Sequence, residues 1–357
     1  MRAWISFVAA LSVFASNPVG PQLAFGSQSA SGCGIPSDVH DGWAITPPEK
    51  QGLNSTLLCT MDDGVTVGQL ADVDSIVVVR HGVLVYERYY GYPHQVEYDA
   101  TTRHQGYSMT KSVVSLLVGI AMDRGLIADI DAPVISYFPE ATGLLAPGQD
   151  RITLRHLLTM SAGLGSDRPP GVAFKYNDRE TELVGAILKK VTGKTVEELA
   201  REEMFAPLGI SDVEWHKNPL SGLPTPAGGL ELRPRDWAKI GQLVLNRGVW
   251  EGRQIVPASW IAQSSAEQIK TEGPPSAEQV SADGSLSYGY QWWLGRSLDK
   301  DRTVQWIAAM GINSQKTIII PALDMVVVFN ASRVSRNMAA PELDLLDRYI
   351  LPAARIE

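Results

Sequence analysis

The sequence is poor in the patterns that mark metal, nucleotide and nucleic-acid chemistry. Its six histidines (His40, His81, His94, His104, His156 and His216) show no His-Glu-x-x-His or other ligand spacing, so no metal is expected. No Walker loop is present, and no Gly-x-Gly-x-x-Gly follows a strand, so no cofactor of that kind is expected. No Gly-x-Ser-x-Gly elbow exists, which leaves an α/β-hydrolase reading unsupported. Thirty-one Lys and Arg stand against 39 Asp and Glu, a net charge of −8 with no basic run. That balance argues against nucleic acid or an anionic membrane surface as the main partner. Beyond the N-terminus no apolar run reaches the roughly 18 residues a membrane span needs.

Cysteine is scarce too. Cys33 and Cys59 either form one disulfide in an oxidising compartment or stay as two buried thiols. The N-terminus carries Arg2, an apolar stretch from Ala3 to Ala15, and small residues Val13 and Ala15 where a signal peptidase reads. Residues 1–15 are therefore expected to be a signal peptide, and the protein exported, periplasmic or secreted. Residues 16–59 read as an arm or linker, loosely attached, with ordered structure from about Thr60.

The chain of 357 residues has an ordinary globular composition, 45% hydrophobic and 20% charged. Ser75-Ile-Val-Val-Val-Arg80 and Val83-Leu-Val-Tyr-Glu-Arg88 flank His81-Gly82 and predict a β-hairpin, with Gly82 at positive φ. Ser108 to Arg124 predicts a helix, apolar nearly all round and hence buried, stopped by Gly125. Leu154–Met160, Asp178–Val191, Thr195–Phe205, Arg235–Asn246 and Pro257–Ser264 read as helices. Thr303–Met310 and Thr317–Asn330 read as strands, the second broken at Pro321–Asp324, before a final helix at Glu342–Leu351. Strands, helices, strands and a last helix imply an α+β fold. An antiparallel sheet, completed by both chain ends and flanked by helices, would carry an inserted all-helical subdomain at about 126–230.

Ser108-Met-Thr-Lys111 is the main chemical candidate. On a helix, positions i and i+3 share a face, so Lys111 would stand beside the Ser108 hydroxyl. A hydroxyl is a weak nucleophile without a neighbouring base. Ser108 at a helix start also gains from free N–H groups and the positive dipole end. Alone, the pattern more often means a capping serine and a solvated lysine. The chain supplies its own control in Ser297-Leu-Asp-Lys300, which sits in a polar stretch that reads as a surface loop. Only the first copy opens a long apolar helix. His156 reads as structural, and Tyr288-Gly-Tyr-Gln-Trp-Trp293 as a pocket lining or core packing.

Three further segments accompany Ser108-Met-Thr-Lys111-Ser: Phe174-Lys-Tyr176-Asn-Asp178, Arg151 to Leu164, and Ala227-Gly-Gly-Leu230 with Arg235-Asp-Trp-Ala. Together, from about Asp74 to the C-terminus, they resemble the β-lactamase-like serine hydrolases. That family includes class C β-lactamases, DD-peptidases, esterases and 6-aminohexanoate-dimer hydrolases. The resemblance implies one such domain over residues 60–357. It also implies Ser108 as acylated nucleophile, Lys111 as its base and Tyr176 as a proton carrier. A packed core tyrosine is the plainer reading of Tyr176. The family pattern is Tyr-x-Asn, whereas Asp178 stands here. Pairing of Asp178 with Lys111 would favour the charged lysine and weaken it as a base.

The family's third motif, Lys-Thr-Gly or His-x-Gly on an edge strand, corresponds to Ala309-Met310-Gly311, without its cation. A cation suits a substrate carboxylate. Its loss favours an ester or amide that lacks the carboxylate over a β-lactam or D-Ala-D-Ala. The resemblance makes the Ile312 N–H the second oxyanion donor, while Asn313 either touches substrate or is a surface turn residue. The expected activity is metal-free acyl transfer to water on a small-molecule ester or amide. A β-lactamase or DD-peptidase with the same machinery is the alternative, and a non-catalytic binding protein the second. Oligomeric state is left open.

Overall fold

The computed structural model describes residues 33–91, 98–144, 146–165, 168–271, 286–299, 302–332 and 341–354. The expected signal segment lies outside the described residues. Helix α1 (Ser55–Thr66) precedes the hairpin of β1 (Ser75–Arg80) and β2 (Val83–Tyr89), and a short β3 (His104–Gln105) leads into α2 (Met109–Asp123). Then come α3 (Leu154–Leu158), α4 (Asp178–Thr192), α5 (Val196–Ala200), β4 (Glu214–Trp215), β5 (Leu230–Leu232) and α6 (Pro234–Leu245). The ribbon β6 (Val249–Trp250) and β7 (Arg253–Gln254) is followed by α7 (Ala258–Ser264). Strands β8 (Ile269–Lys270), β9 (Ser287–Tyr288), β10 (Trp293–Asp299), β11 (Arg302–Gly311), β12 (Gln315–Ile320) and β13 (Met325–Asn330) lead to α8 (Pro341–Leu345) and α9 (Leu351–Ala353).

The fold is α+β. One eight-stranded antiparallel sheet runs β2-β1-β13-β12-β11-β10-β9-β8. The N-terminal hairpin joins the C-terminal strands through β1 and β13, with Ser75 opposite Asn330 and Arg80 opposite Met325. Both chain ends thus complete the sheet. At the hairpin turn His81 (φ 52°) and Gly82 (φ 72°) are both left-handed, the pair that matches the strands' right-handed twist.

Side-chain alternation divides the core. Val77, Val79, Ala309, Ile319, Val326 and Val328 pack on one face with α2 and α6, while Ile76, Val78, Ile318, Ile320, Val327 and Phe329 pack on the other with α1 and the C-terminal helices. Covered on both faces, β1, β12 and β13 are buried along their whole length. That is why their apolar stretches, Ile76–Val79, Ile318–Ile320 and Met325–Phe329, run without alternation. Helix α2 is buried from Met109 to Ala121.

Two expectations need correction. The segment before Thr60 is not loose where it is described, because a disulfide joins Cys33 to Cys59 on α1. Trp43 is buried and donates to the Arg235 carbonyl at 3.2 Å. The Arg235 guanidinium in turn bridges Glu87 and Asp41. The insert between α2 and α6 is also not all-helical, since β4 and β5 pair there, and β5 pairs back to β3. The two-residue strand β3 ends just before the first turn of α2, so this small sheet fixes the entry of that helix.

Candidate active site

Ser108 occupies the N-cap of α2 but makes no capping bond. Its Oγ instead accepts a hydrogen bond from Lys111 Nζ at 2.9 Å. The i, i+3 spacing thus delivers the contact expected of one helix face. Lys111 is 1% exposed, and its Nζ has two more acceptors: the Ala227 carbonyl at 2.5 Å and Asp178 Oδ1 at 2.8 Å. Asp178 itself is 69% exposed. The three N–H donors of an ammonium match these three acceptors.

Asp178 opens α4. The preceding Asn177 is spent on structure: its Oδ1 caps the helix through the Arg179 N–H at 3.1 Å, and its Nδ2 donates to the Leu164 carbonyl at 3.0 Å. Tyr176, one residue earlier, is half-buried. Lys111 Nζ lies 5.0 Å from its ring centroid, and Trp293 stacks on it at 5.8 Å. Phe174 and Tyr288 complete an aromatic wall. The 288–293 segment is core, with Tyr288, Tyr290, Trp292 and Trp293 all buried. Gln291 ties α2 to α4, since Ser112 Oγ donates to its carbonyl at 2.6 Å and its amide pairs with Thr181.

Ile312 and Asn313 lie in the turn between β11 and β12. Ile312 is 53% exposed, and Asn313 and Ser314 are both left-handed (φ 59° and 57°). Asn313 Nδ2 donates to the Tyr107 hydroxyl at 3.3 Å, bringing this turn to the residue before Ser108. Gly311 must be glycine here, because a Cβ would meet the Gly106 carbonyl oxygen at 2.3 Å. The third motif does not lie on an edge strand, because β11 runs inside the sheet, between β12 and β10. Ala309 faces α2. The cation closest in the pairing, Lys316, stands opposite Met310 on the far face, fully buried against Glu342.

The control pair behaves differently, though not as a surface loop. Ser297 is buried on strand β10, where its Oγ accepts from Trp306 Nε1 at 3.2 Å; Lys300 lies outside the described residues. His156 is part of a capping box with Thr153 at the start of α3.

Four contributors escape a reading of the sequence. The Ala227 carbonyl, inside a motif that the sequence does single out, holds Lys111. Thr110 Oγ1 donates to the Tyr107 carbonyl at 2.6 Å and accepts from the Leu230 N–H at 3.1 Å, tying α2 to β5. Tyr107 itself is left-handed at φ 47°, a conformation that no local pattern announces for tyrosine. Glu180 is fully buried on the first turn of α4, where burial pushes its carboxyl up to about 8. One of its oxygens accepts from the Ala162 N–H at 3.2 Å, and the other has no hydrogen-bond partner among the described residues. Burial likewise drives His104, four residues before Ser108, down to about 4, so it is neutral at pH 7.

A family model described as Beta-lactamase matches residues 68–351. The 6-aminohexanoate-dimer hydrolase of Paenarthrobacter ureafaciens is 25% identical over 295 residues, covering 71% of this chain and 71% of that protein. A penicillin-binding protein homologue from Caulobacter crescentus has the same fold with a TM-score of 0.68 at 16% identity, over 86% of this chain and 98% of its own. A family VIII carboxylesterase is similar too, with a TM-score of 0.66 at 17% identity, over 87% and 98%.

Proposed function

The chain belongs to the beta-lactamase family, and on that premise we propose that it is a serine hydrolase cleaving an ester or amide bond through an acyl-enzyme on Ser108. The observation that carries this reading is the Ser108–Lys111 contact of 2.9 Å at the opening of a buried helix. Hydrolases of both bond types stand among the relatives, as the names of the 6-aminohexanoate-dimer hydrolase and the carboxylesterase say.

In this mechanism Ser108 Oγ attacks the substrate carbonyl carbon. Its proton passes to the Tyr176 oxygen, which enters the step as a phenolate, its ring centroid 5.0 Å from Lys111 Nζ. The Lys111 ammonium, held by Asp178 and the Ala227 carbonyl, stabilises negative charge on Oγ and on the phenol oxygen as the proton moves. The N–H groups of Ser108 and Ile312 receive the oxyanion. Tyr176 then protonates the leaving group, and water, activated by the same residue, releases the acid. Lys111 is thus an electrostatic partner more than a base, a role that follows from Asp178 standing where the family has an amide.

The substrate reading is an ester or amide lacking the carboxylate of β-lactams and D-Ala-D-Ala. Ala309 at the third-motif position and the opposite facing of Lys316 support it. The Cys33–Cys59 disulfide supports the further proposal of export to an oxidising compartment.

The test is hydrolysis of p-nitrophenyl butyrate and of nitrocefin by the mature protein and by Ser108→Ala. Turnover of the ester well above nitrocefin, abolished in the variant, is expected. Nitrocefin as the better substrate would move the assignment to a β-lactamase. No turnover and no reaction with a fluorophosphonate would leave a binding protein.

A further inference from the structure

Two strained segments meet beside the nucleophile. Tyr107 precedes Ser108 with φ 47°, a region disfavoured for any residue bearing a Cβ. Across from it, the β11–β12 turn carries left-handed Asn313 and Ser314. The two are joined by the bond from Asn313 Nδ2 to the Tyr107 hydroxyl. Neither segment has room to shift toward the other, because Gly311 packs directly against the Gly106 carbonyl and the Tyr107 Cβ.

Each side is also held from behind. The Tyr107 carbonyl accepts from Thr110 Oγ1 and from the Thr110 N–H at 3.0 Å. The Asn313 carbonyl accepts from Gln315 Nε2 at 3.0 Å. Gln315 is buried, and its Oε1 accepts from Asn330 Nδ2 at 2.7 Å. Asn330 Oδ1 accepts from Ser75 Oγ at 3.1 Å, which anchors the chain of amides in β1. The turn is therefore braced across three strands, and the bond from Asn313 to Tyr107 ties it to the nucleophile's segment.

We propose that Tyr107 and Asn313 are a pair of positioning residues that set the separation of the two oxyanion donors, the N–H groups of Ser108 and Ile312. The inference rests on the acyl-enzyme reading above. The Tyr107 backbone aims the Ser108 N–H, the Asn313 backbone follows the Ile312 N–H, and the bond between their side chains couples the two. The coupling acts through the two oxyanion donors, so its effect falls on the transition state, where charge sits on the oxyanion, and little on ground-state binding.

The test compares wild type with Tyr107→Phe, Asn313→Ala and the double variant. Each is assayed with p-nitrophenyl butyrate and with inhibition by an aryl boronic acid, which adds to the serine as a tetrahedral anion. Each single variant is expected to lose roughly tenfold in kcat with KM within about twofold. Boronate affinity should fall in parallel, and the melting temperature should stay at the wild-type value. The double variant should be no worse than the poorer single one, because both remove one coupling. Unchanged kcat, losses that multiply in the double variant, or losses that track a lower melting temperature would each overturn the proposal. Wild type that neither turns over the ester nor binds the boronate would instead overturn the acyl-enzyme reading itself.

Discussion

Lys111 Nζ stands 2.8 Å from Asp178 Oδ1, a buried cation held by a carboxylate that is itself 69% exposed. The lysine beside Ser108 is thereby neutralised from the solvent side. No net positive charge is left there to draw a substrate carboxylate.

Replacing Asp178 by Asn removes that counter-charge while keeping a hydrogen-bond acceptor at Nζ. The net positive charge restored beside Ser108 should then draw a substrate carboxylate. The expected outcome is a roughly tenfold gain in kcat/KM for a carboxylate-bearing p-nitrophenyl ester relative to the neutral butyrate. Hydrolysis of the two esters side by side measures it, and an unchanged ratio would mean that Asp178 does not set the charge of the site.

Glu180 makes stability depend on pH. Its folded carboxyl titrates near 8, far above its ordinary value of 4.5, because burial opposes the charge. The native state therefore binds its proton more tightly than the unfolded chain. That contribution is complete below about 4.5 and is lost as pH rises towards 8. Glu180→Gln should melt a few degrees above wild type at pH 9, with the gap closing at pH 5. A gap independent of pH would remove the carboxyl as the cause.

Arg235 is buried between Glu87 and Asp41, which come from β2 and the N-terminal arm. Arg235→Ala leaves two buried carboxylates without their partner, at a cost of about 3–5 kcal/mol in urea unfolding. Arg235→Lys should recover only part of this, because an ammonium lacks the planar fork that serves both acids. Wild-type stability in Arg235→Ala would show that the arm is held by its other ties, among them Trp43, the disulfide and the bond from Lys239 Nζ to the Asp41 carbonyl.

Long periodic elements are legible in the sequence. The pattern places a helix at Ser108–Arg124 and α2 runs Met109–Asp123, and the break between β12 and β13 falls at Pro321–Asp324. Strands β4 and β5 are not legible, because two or three residues carry no period, and the insert reads as wholly helical. The packing of the arm is hidden for another reason. Arg235 and Asp41 are 194 positions apart, and such a pair leaves no mark on either local sequence. In the site, the helical spacing of Ser108 and Lys111 announces their contact. The left-handed Tyr107 and the Ala227 carbonyl do not announce themselves, since backbone groups and strained dihedrals follow from tertiary context rather than from residue type.

Covalent chemistry at Ser108 is tested most directly by reaction with a fluorophosphonate followed by tryptic mass mapping. One adduct is expected, on the peptide of residues 104–111 between the cleavage sites at Arg103 and Lys111, and absent from Ser108→Ala. An adduct that persists in that variant, or appears on another peptide, would contradict the acyl-enzyme assignment.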